Sequence, residues 1–106
     1  MKKVLLIAQP AVATDLLINR IANMADEQGI VIEITTLCEK EGLKRIGEFD
    51  ALVLLPHSRF LLNKRDKLGI DEKLPVGVLD SVDYGNLDAK AILHFIVNLL
   101  NHSKHH

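Results

Sequence analysis

Two short apolar runs that do not alternate with polar residues place the strongest constraint on the fold of this chain. They are Val4–Ala8, with the sequence VLLIA, and Ala51–Leu55, with the sequence ALVLL. A strand covered on both faces by helices has this continuous pattern, whereas a strand with one face in water alternates. Both runs are therefore predicted to be central strands of a parallel sheet.

Two further strands and the first helix are predicted around these runs. Apolar residues recur at helical spacing from Leu17 to Met24, and Gly29 suits the position just after a helix end. The segment 30–36 is rich in β-branched residues but contains Glu33, which is typical of a strand at the edge of a sheet. A fourth strand is predicted over residues 75–79, beginning at a proline.

The remaining elements are predicted to be helices and loops. A short helix is expected over residues 39–46, ended by Gly47, and a partly exposed helix over residues 58–68. A polar loop should run to Gly85. The last helix carries an apolar face from Leu87 to Leu100, and either Asn86 or Asp88 is expected to cap its start.

This alternation of strands and helices predicts an α/β fold: a three-layer, flavodoxin-like arrangement with a four-stranded parallel sheet of order 2-1-3-4 and helices on both faces. Ligands bind such sheets outside the carboxyl ends of the strands, where the strand order reverses. The reversal falls between the first and third strands, so the loops 9–15 and 56–59 are the predicted site. One domain is expected over residues 1–101, followed by a disordered tail, residues 102–106.

Composition excludes several classes of function. The chain has 106 residues and a net charge of −1, so no basic excess favours nucleic acid or an anionic membrane surface. No apolar run approaches the roughly 20 residues that span a bilayer, and no signal-peptide pattern develops, so we expect a soluble, cytoplasmic protein. Cys38 is the only cysteine, which excludes an internal disulfide and a multi-cysteine metal site. No nucleotide-binding fingerprint is present, and no cofactor or metal is predicted.

Three segments together resemble the IIB subunit of a lactose/cellobiose-type sugar phosphotransferase system. They are Lys2–Ile7, the loop ending Thr14–Leu17, and Val82–Asp88, and the resemblance extends over essentially the whole chain. In that family, a cysteine at the end of the first strand takes phosphate from a histidine of the IIA partner and passes it to sugar in the membrane IIC transporter. The resemblance therefore implies a part in phosphoenolpyruvate-dependent sugar uptake, with IIA and IIC proteins as partners.

The chain departs from the family pattern where the phosphate is carried. Ala8 stands at the position expected to hold the cysteine, and its methyl group cannot be phosphorylated. The loop equivalent to the family's phosphate loop is Gln9, Pro10, Ala11, Val12, Ala13, Thr14 and Asp15. Pro10 lacks an amide donor and Ala11 replaces a flexible glycine, which both weaken an anion-binding turn. The resemblance therefore predicts a binding or regulatory module that lacks phosphotransfer through Ala8.

Other residues leave alternatives open. His57 lies in the neighbouring loop with Ser58 and Arg59 and could accept phosphate in place of cysteine, with Arg59 or Thr14 stabilising it, although we favour a solvent-facing histidine. A small-anion or nucleotide-binding domain unrelated to sugar transport is a further alternative.

Structural roles are favoured for the remaining polar residues. Thr14 or Asp15 is expected to cap the first helix, and Tyr84 is expected to pack over a loop rather than contact a ligand. Cys38 follows the edge strand, displaced from the central crevice, and nearby Glu39 and Glu41 disfavour a thiolate.

Overall fold

The fold is a four-stranded parallel sheet with helices on both faces. The computed structural model of the protein describes residues 1–9 and 11–102. The strands are β1 (Lys2–Ile7), β2 (Ile32–Leu37), β3 (Ala51–Leu54) and β4 (Val76–Val78), and the helices are α1 (Val12–Glu27), α2 (Glu39–Lys44), α3 (Phe60–Asn63), α4 (Ser81–Gly85) and α5 (Ala89–His102). Short 3₁₀ turns occupy Ile46–Glu48 and Pro56–Ser58.

The order of the strands is β2-β1-β3-β4, which confirms the predicted topology. Ile7, the last residue of β1, pairs with Leu37 of β2 on one side and with Leu54 of β3 on the other. The strand order therefore reverses beside β1, and β2 and β4 form the two edges.

The continuous apolar run of β1 is explained by a core on each face of the sheet. Val4 and Leu6 point into a buried cluster formed with α1 and α5. Leu5 and Ile7 point into a second cluster, which includes Leu61 of α3. Because successive side chains of a strand point to opposite faces, two covered faces require every position to be apolar.

The end of α1 follows the predicted glycine signal. Gly29 has a φ of +72°, its amide donates to Asp26, and the amide of Ile30 donates to Ala25 at 2.8 Å. These bonds form a Schellman motif, in which a left-handed residue satisfies the last carbonyls of the helix.

Gly77 allows α5 to pack directly on β4. A Cβ atom at this position would lie 2.5 Å from Cζ of Phe95 and 3.3 Å from Cδ2 of Leu99. The absence of a side chain thus lets these two residues reach the strand backbone, a close approach that only glycine permits.

Three predictions about the helices were wrong in detail. Gly47 does not end a helix: α2 ends at Lys44, and Gly47 lies in a 3₁₀ turn. The predicted helix over 58–68 is helical only from Phe60 to Asn63 and continues as turns to Gly69, which has positive φ. Weak apolar periodicity did not distinguish a helix from successive turns, because both bury one residue in three or four.

The third error lies before α5. The predicted polar loop to Gly85 contains α4, whose start is capped by Asp80 through a 2.7 Å bond from the amide of Val82. Asp88 and not Asn86 caps α5, since its Oδ1 accepts from the amide of Ala91 at 3.1 Å. Leu87 precedes that cap with a φ of +52°.

Within the described part of the chain, no helix has the length and apolar character needed to span a bilayer. Residues 103–106 of the predicted tail lie outside the described residues, while His102 is the last residue of α5. The extent of the single domain stays a prediction.

Candidate functional site

The candidate site lies at the carboxyl ends of the strands, where the order of the sheet reverses. The chain leaves β1 at Ala8, β2 at Cys38, β3 at Leu55 and β4 at Leu79, so four connections begin along one edge of the sheet. This is the general location of ligand sites in open parallel sheets. The two predicted loops, after β1 and after β3, are neighbours there because β1 pairs with β3.

Ala8 extends the ladder of β1 by one residue. Its amide donates to the carbonyl of Leu37 at 3.0 Å, and its side chain is only 4% exposed, packed in the cluster that includes α1 and α5. The residue carries a methyl group with no donor, acceptor or ionisable atom. Ala8 thus serves the hydrophobic core, while the following Gln9 is exposed.

Helix α1 begins without a side-chain cap. Ala11 occupies the N-cap position in an extended conformation, and its carbonyl accepts from the amide of Asp15 at 3.0 Å. The prediction that Thr14 or Asp15 caps α1 was wrong, because the helix starts before both residues, at Val12. Asp15 instead places a carboxylate in the first turn, where the helix dipole favours negative charge. Pro10 lies outside the described residues, and Val12 and Ala13 are exposed.

Thr14 joins the start of α1 to α4. Its side chain is 3% exposed, and its Oγ1 lies 3.3 Å from the hydroxyl oxygen of Tyr84, with either group able to donate. The ring of Tyr84 packs against the core cluster on the α1 and α5 side. The tyrosine therefore packs against the core, and its hydroxyl group connects α4 with the first turn of α1.

The connection after β3 presents two exposed polar side chains. His57 and Arg59 are exposed and Ser58 between them is buried, in a 3₁₀ turn that begins at Pro56. Among the described residues, the side chain of Arg59 has no hydrogen bond or ion pair. A free guanidinium at the edge of the sheet offers a planar fork of donors to an anion.

Cys38 lies at the same edge, on the side of β1 away from β3. The pairing of Ile7 with Leu37 puts Cys38 one strand away from Ala8, a separation of about 4.8 Å between neighbouring strand backbones. The cysteine is partly buried, and its carbonyl accepts from the amide of Gly42 at 2.8 Å at the start of α2. The displacement from the central crevice is as predicted.

The structure brings the predicted loops after β1 and β3 together, and it shows a contact between Thr14 and Tyr84 that the sequence did not reveal. The hydroxyl groups of Thr14 and Tyr84 are 70 residues apart in sequence. No local pattern indicates such a pair.

Across the described residues, no group of three or more histidine, cysteine, aspartate or glutamate side chains is arranged to hold a metal ion.

Comparison with known proteins identifies relatives over nearly the full length of the chain. No protein-family model matches. The oligo-β-mannoside-specific IIB component of the phosphotransferase system of Bacillus subtilis is 26% identical over 100 residues, which cover 94% of this chain and 97% of that protein. Over this length the chain is similar to IIB components of the lactose/cellobiose type.

Two solved structures show the same fold as this chain. The cellobiose-specific IIB protein of Borrelia burgdorferi superposes with a TM-score of 0.78 at 24% identity, covering 96% of this chain and 94% of that one. The lactose-specific IIB domain of Streptococcus pneumoniae has a TM-score of 0.67 at 18% identity, covering 92% and 95%. The predicted resemblance to IIB components is confirmed, while the roles assigned to individual site residues stay predictions.

Proposed function

We propose that this IIB component is a binding or regulatory module of a sugar phosphotransferase system that carries no phosphate at the end of β1. The observation that supports this most directly is the side chain of Ala8. A phosphoryl acceptor needs a nucleophilic oxygen, nitrogen or sulfur atom. Ala8 has none, and the residue is only 4% exposed.

The surrounding loop supports the same proposal. Thr14, the residue that keeps the hydroxyl character of the family's loop, is buried and lies within hydrogen-bonding distance of Tyr84. Ala11 gives α1 no side-chain cap. Among the described residues 11–15, the exposed side chains are three apolar ones and the carboxylate of Asp15, and none of these donates a hydrogen bond to a phosphoryl group.

The proposed partners are the IIA component and the membrane IIC component of a phosphotransferase system, and the proposed location of this chain is the cytoplasm. The relatives at 26% and 24% identity are named as IIB components, and each is covered almost completely. Because the chain keeps the fold but lacks the nucleophile, it can still bind the partner proteins without carrying phosphate. A module that binds IIA without accepting phosphate would compete with an active IIB protein for it.

The experiment is intact-mass spectrometry after incubation with phosphoenolpyruvate, the general phosphocarrier proteins and a IIA protein from the same host. We expect no added phosphoryl mass on this chain, while a cysteine-containing IIB protein in the same mixture is labelled. Titration calorimetry with the IIA protein should show binding. Absence of binding to every IIA protein of the host would refute the docking role.

An Ala8→Cys variant separates loss of the nucleophile from loss of the rest of the loop. Because the position is buried and Pro10 supplies no amide hydrogen, we expect the variant to remain unlabelled. Labelling of Ala8→Cys to the level of the control protein would mean that the loop is intact apart from its nucleophile.

His57 provides a second candidate function, as a phosphate carrier in place of cysteine. The observation in its favour is that His57 is exposed at the same edge of the sheet and is followed by the exposed Arg59. In that case the chain would gain an acid-labile phosphoryl mass, lost in His57→Ala. His94, an exposed histidine on α5, is the matched control, since His94→Ala should leave the label unchanged.

A further inference from the structure

A pocket lies between the connections that follow β3 and β4, at the carboxyl ends of the strands. Its volume is about 530 Å³, which is within the range of sites for small organic molecules. It is bordered by Arg59 and Leu62 on one side, by the end of β4 from Val78 to Ser81, and by Phe95 of α5. None of the described residues of the β1 loop lines it.

The pocket has a charged side and an apolar side. Arg59 supplies a guanidinium that no described side chain or carbonyl engages. Leu62, Val78 and Phe95 supply aliphatic and aromatic surface, each partly exposed. Small-molecule sites combine apolar walls with a few polar groups in this way, the polar groups fixing orientation.

Asp80 limits the charge that the pocket can accept. Its Oδ1 accepts from the amide of Val82 at 2.7 Å, which commits this carboxylate to capping α4. Because Asp80 and Arg59 line the same pocket, the negative charge of Asp80 offsets part of the positive field of the guanidinium. A ligand with one negative charge is therefore favoured over a phosphate dianion, and Ser81 adds a hydroxyl donor.

We propose that this pocket binds a small aromatic carboxylate, with the carboxylate on Arg59 and the ring against Phe95 and Leu62. Arginine pairs with a carboxylate through two parallel N–H···O bonds, and the apolar wall covers the ring. This site goes beyond the docking role, because it uses neither Ala8 nor the loop that follows it.

The test is a titration of ¹⁵N-labelled protein followed by amide chemical shifts, with sodium benzoate as the probe. We expect saturable shifts at Val78, Asp80 and Ser81. Benzamide, which has the same shape without the charge, should bind about tenfold more weakly, since a charge-assisted hydrogen bond contributes more than a neutral one. Inorganic phosphate should bind more weakly than benzoate.

Two variants complete the test. Arg59→Gln should weaken benzoate binding about tenfold, while Arg20→Gln, which removes an exposed arginine from α1, should leave it unchanged. Shifts that are absent, that map to other residues, or that are equal for benzoate and benzamide would overturn the proposal. Tighter binding of phosphate than of benzoate, or unchanged binding in a folded Arg59→Gln protein, would overturn it as well.

Discussion

The hydroxyl oxygens of Thr14 and Tyr84 lie 3.3 Å apart and connect α1 with α4. Thr14 is 3% exposed, so its hydroxyl has little access to water. We expect Tyr84→Phe to lower the free energy of unfolding by about 1 kcal/mol, because it leaves a buried hydroxyl without its partner. Urea denaturation measures this change.

The matched variants are Thr14→Val and the combination of both substitutions. Since removing both hydroxyls leaves no unpaired group, the double variant should lose less than the sum of the single variants. Simple additivity would show that the 3.3 Å contact contributes nothing to stability.

Arg45 and Glu48 form an exposed ion pair that changes the pKa of the glutamate. The hydrogen bond that Arg45 donates to Glu48, at 3.1 Å, lowers the pKa of the glutamate below its ordinary value. A carboxyl group with a lowered pKa in the folded state contributes stability above its unfolded pKa, and loses it as the pH falls through the folded pKa.

We therefore expect the pKa of Glu48, measured from its carboxyl carbon shift, to rise toward the ordinary value in an Arg45→Gln variant. The stability difference between the protein and Glu48→Gln should be present at neutral pH and vanish in acid. If the pKa of Glu48 does not change when Arg45 is replaced, the hydrogen bond with Arg45 is not the cause of the lowered pKa.

At the scale of elements, the structure shows which of two residues caps the start of α5, a choice that the sequence left open between Asn86 and Asp88. Both Asn86 and Asp88 are favourable N-cap residues, but only Asp88 bonds to an amide of the helix, that of Ala91. We expect Asp88→Ala to destabilise the protein by about 1 kcal/mol and Asn86→Ala to have a much smaller effect. Thermal or urea unfolding would show it, and equal losses would contradict the assignment.

The elements that the sequence predicted well are those whose pattern is tied to burial. The runs at β1 and β3 read as strands covered on both faces, because both faces carry a core, and Gly29 marked the end of α1. The segment from Phe60 to Gly69 and helix α4 were missed or misjudged. They are short, so tertiary contacts and local caps such as Asp80 decide their conformation more than periodicity does.

The location of the candidate site was predicted, but its pocket was not. Topology placed the loops after β1 and β3 together, and that followed from strand order alone. The pocket bordered by β4 and α5 was not predicted, because it depends on how Phe95 packs over Gly77. A close approach between distant side chains leaves no periodic signal in sequence.

At the scale of the whole molecule, several exposed hydrophobic side chains lie at the carboxyl ends of the strands. Among the described residues, Val12, Phe60 and Val82 are 76%, 46% and 66% exposed, and they follow β1, β3 and β4 at the carboxyl edge of the sheet. Exposed apolar residues that gather around one edge favour a protein contact there. This edge is also where the proposed phosphotransferase partner would dock.

The combined substitution Phe60→Ser and Val82→Ser tests that arrangement. We expect it to weaken binding of the IIA protein about tenfold in titration calorimetry, since a few central apolar contacts dominate the affinity of an interface. The melting temperature should hardly change, because exposed positions contribute little to folding. Val31→Ser is the control: Val31 is 63% exposed but precedes β2, at the opposite edge of the sheet. Equal losses in the control and in the double variant would place the contact elsewhere, whereas a selective loss would mean that the apolar edge binds the partner even though Ala8 carries no nucleophile.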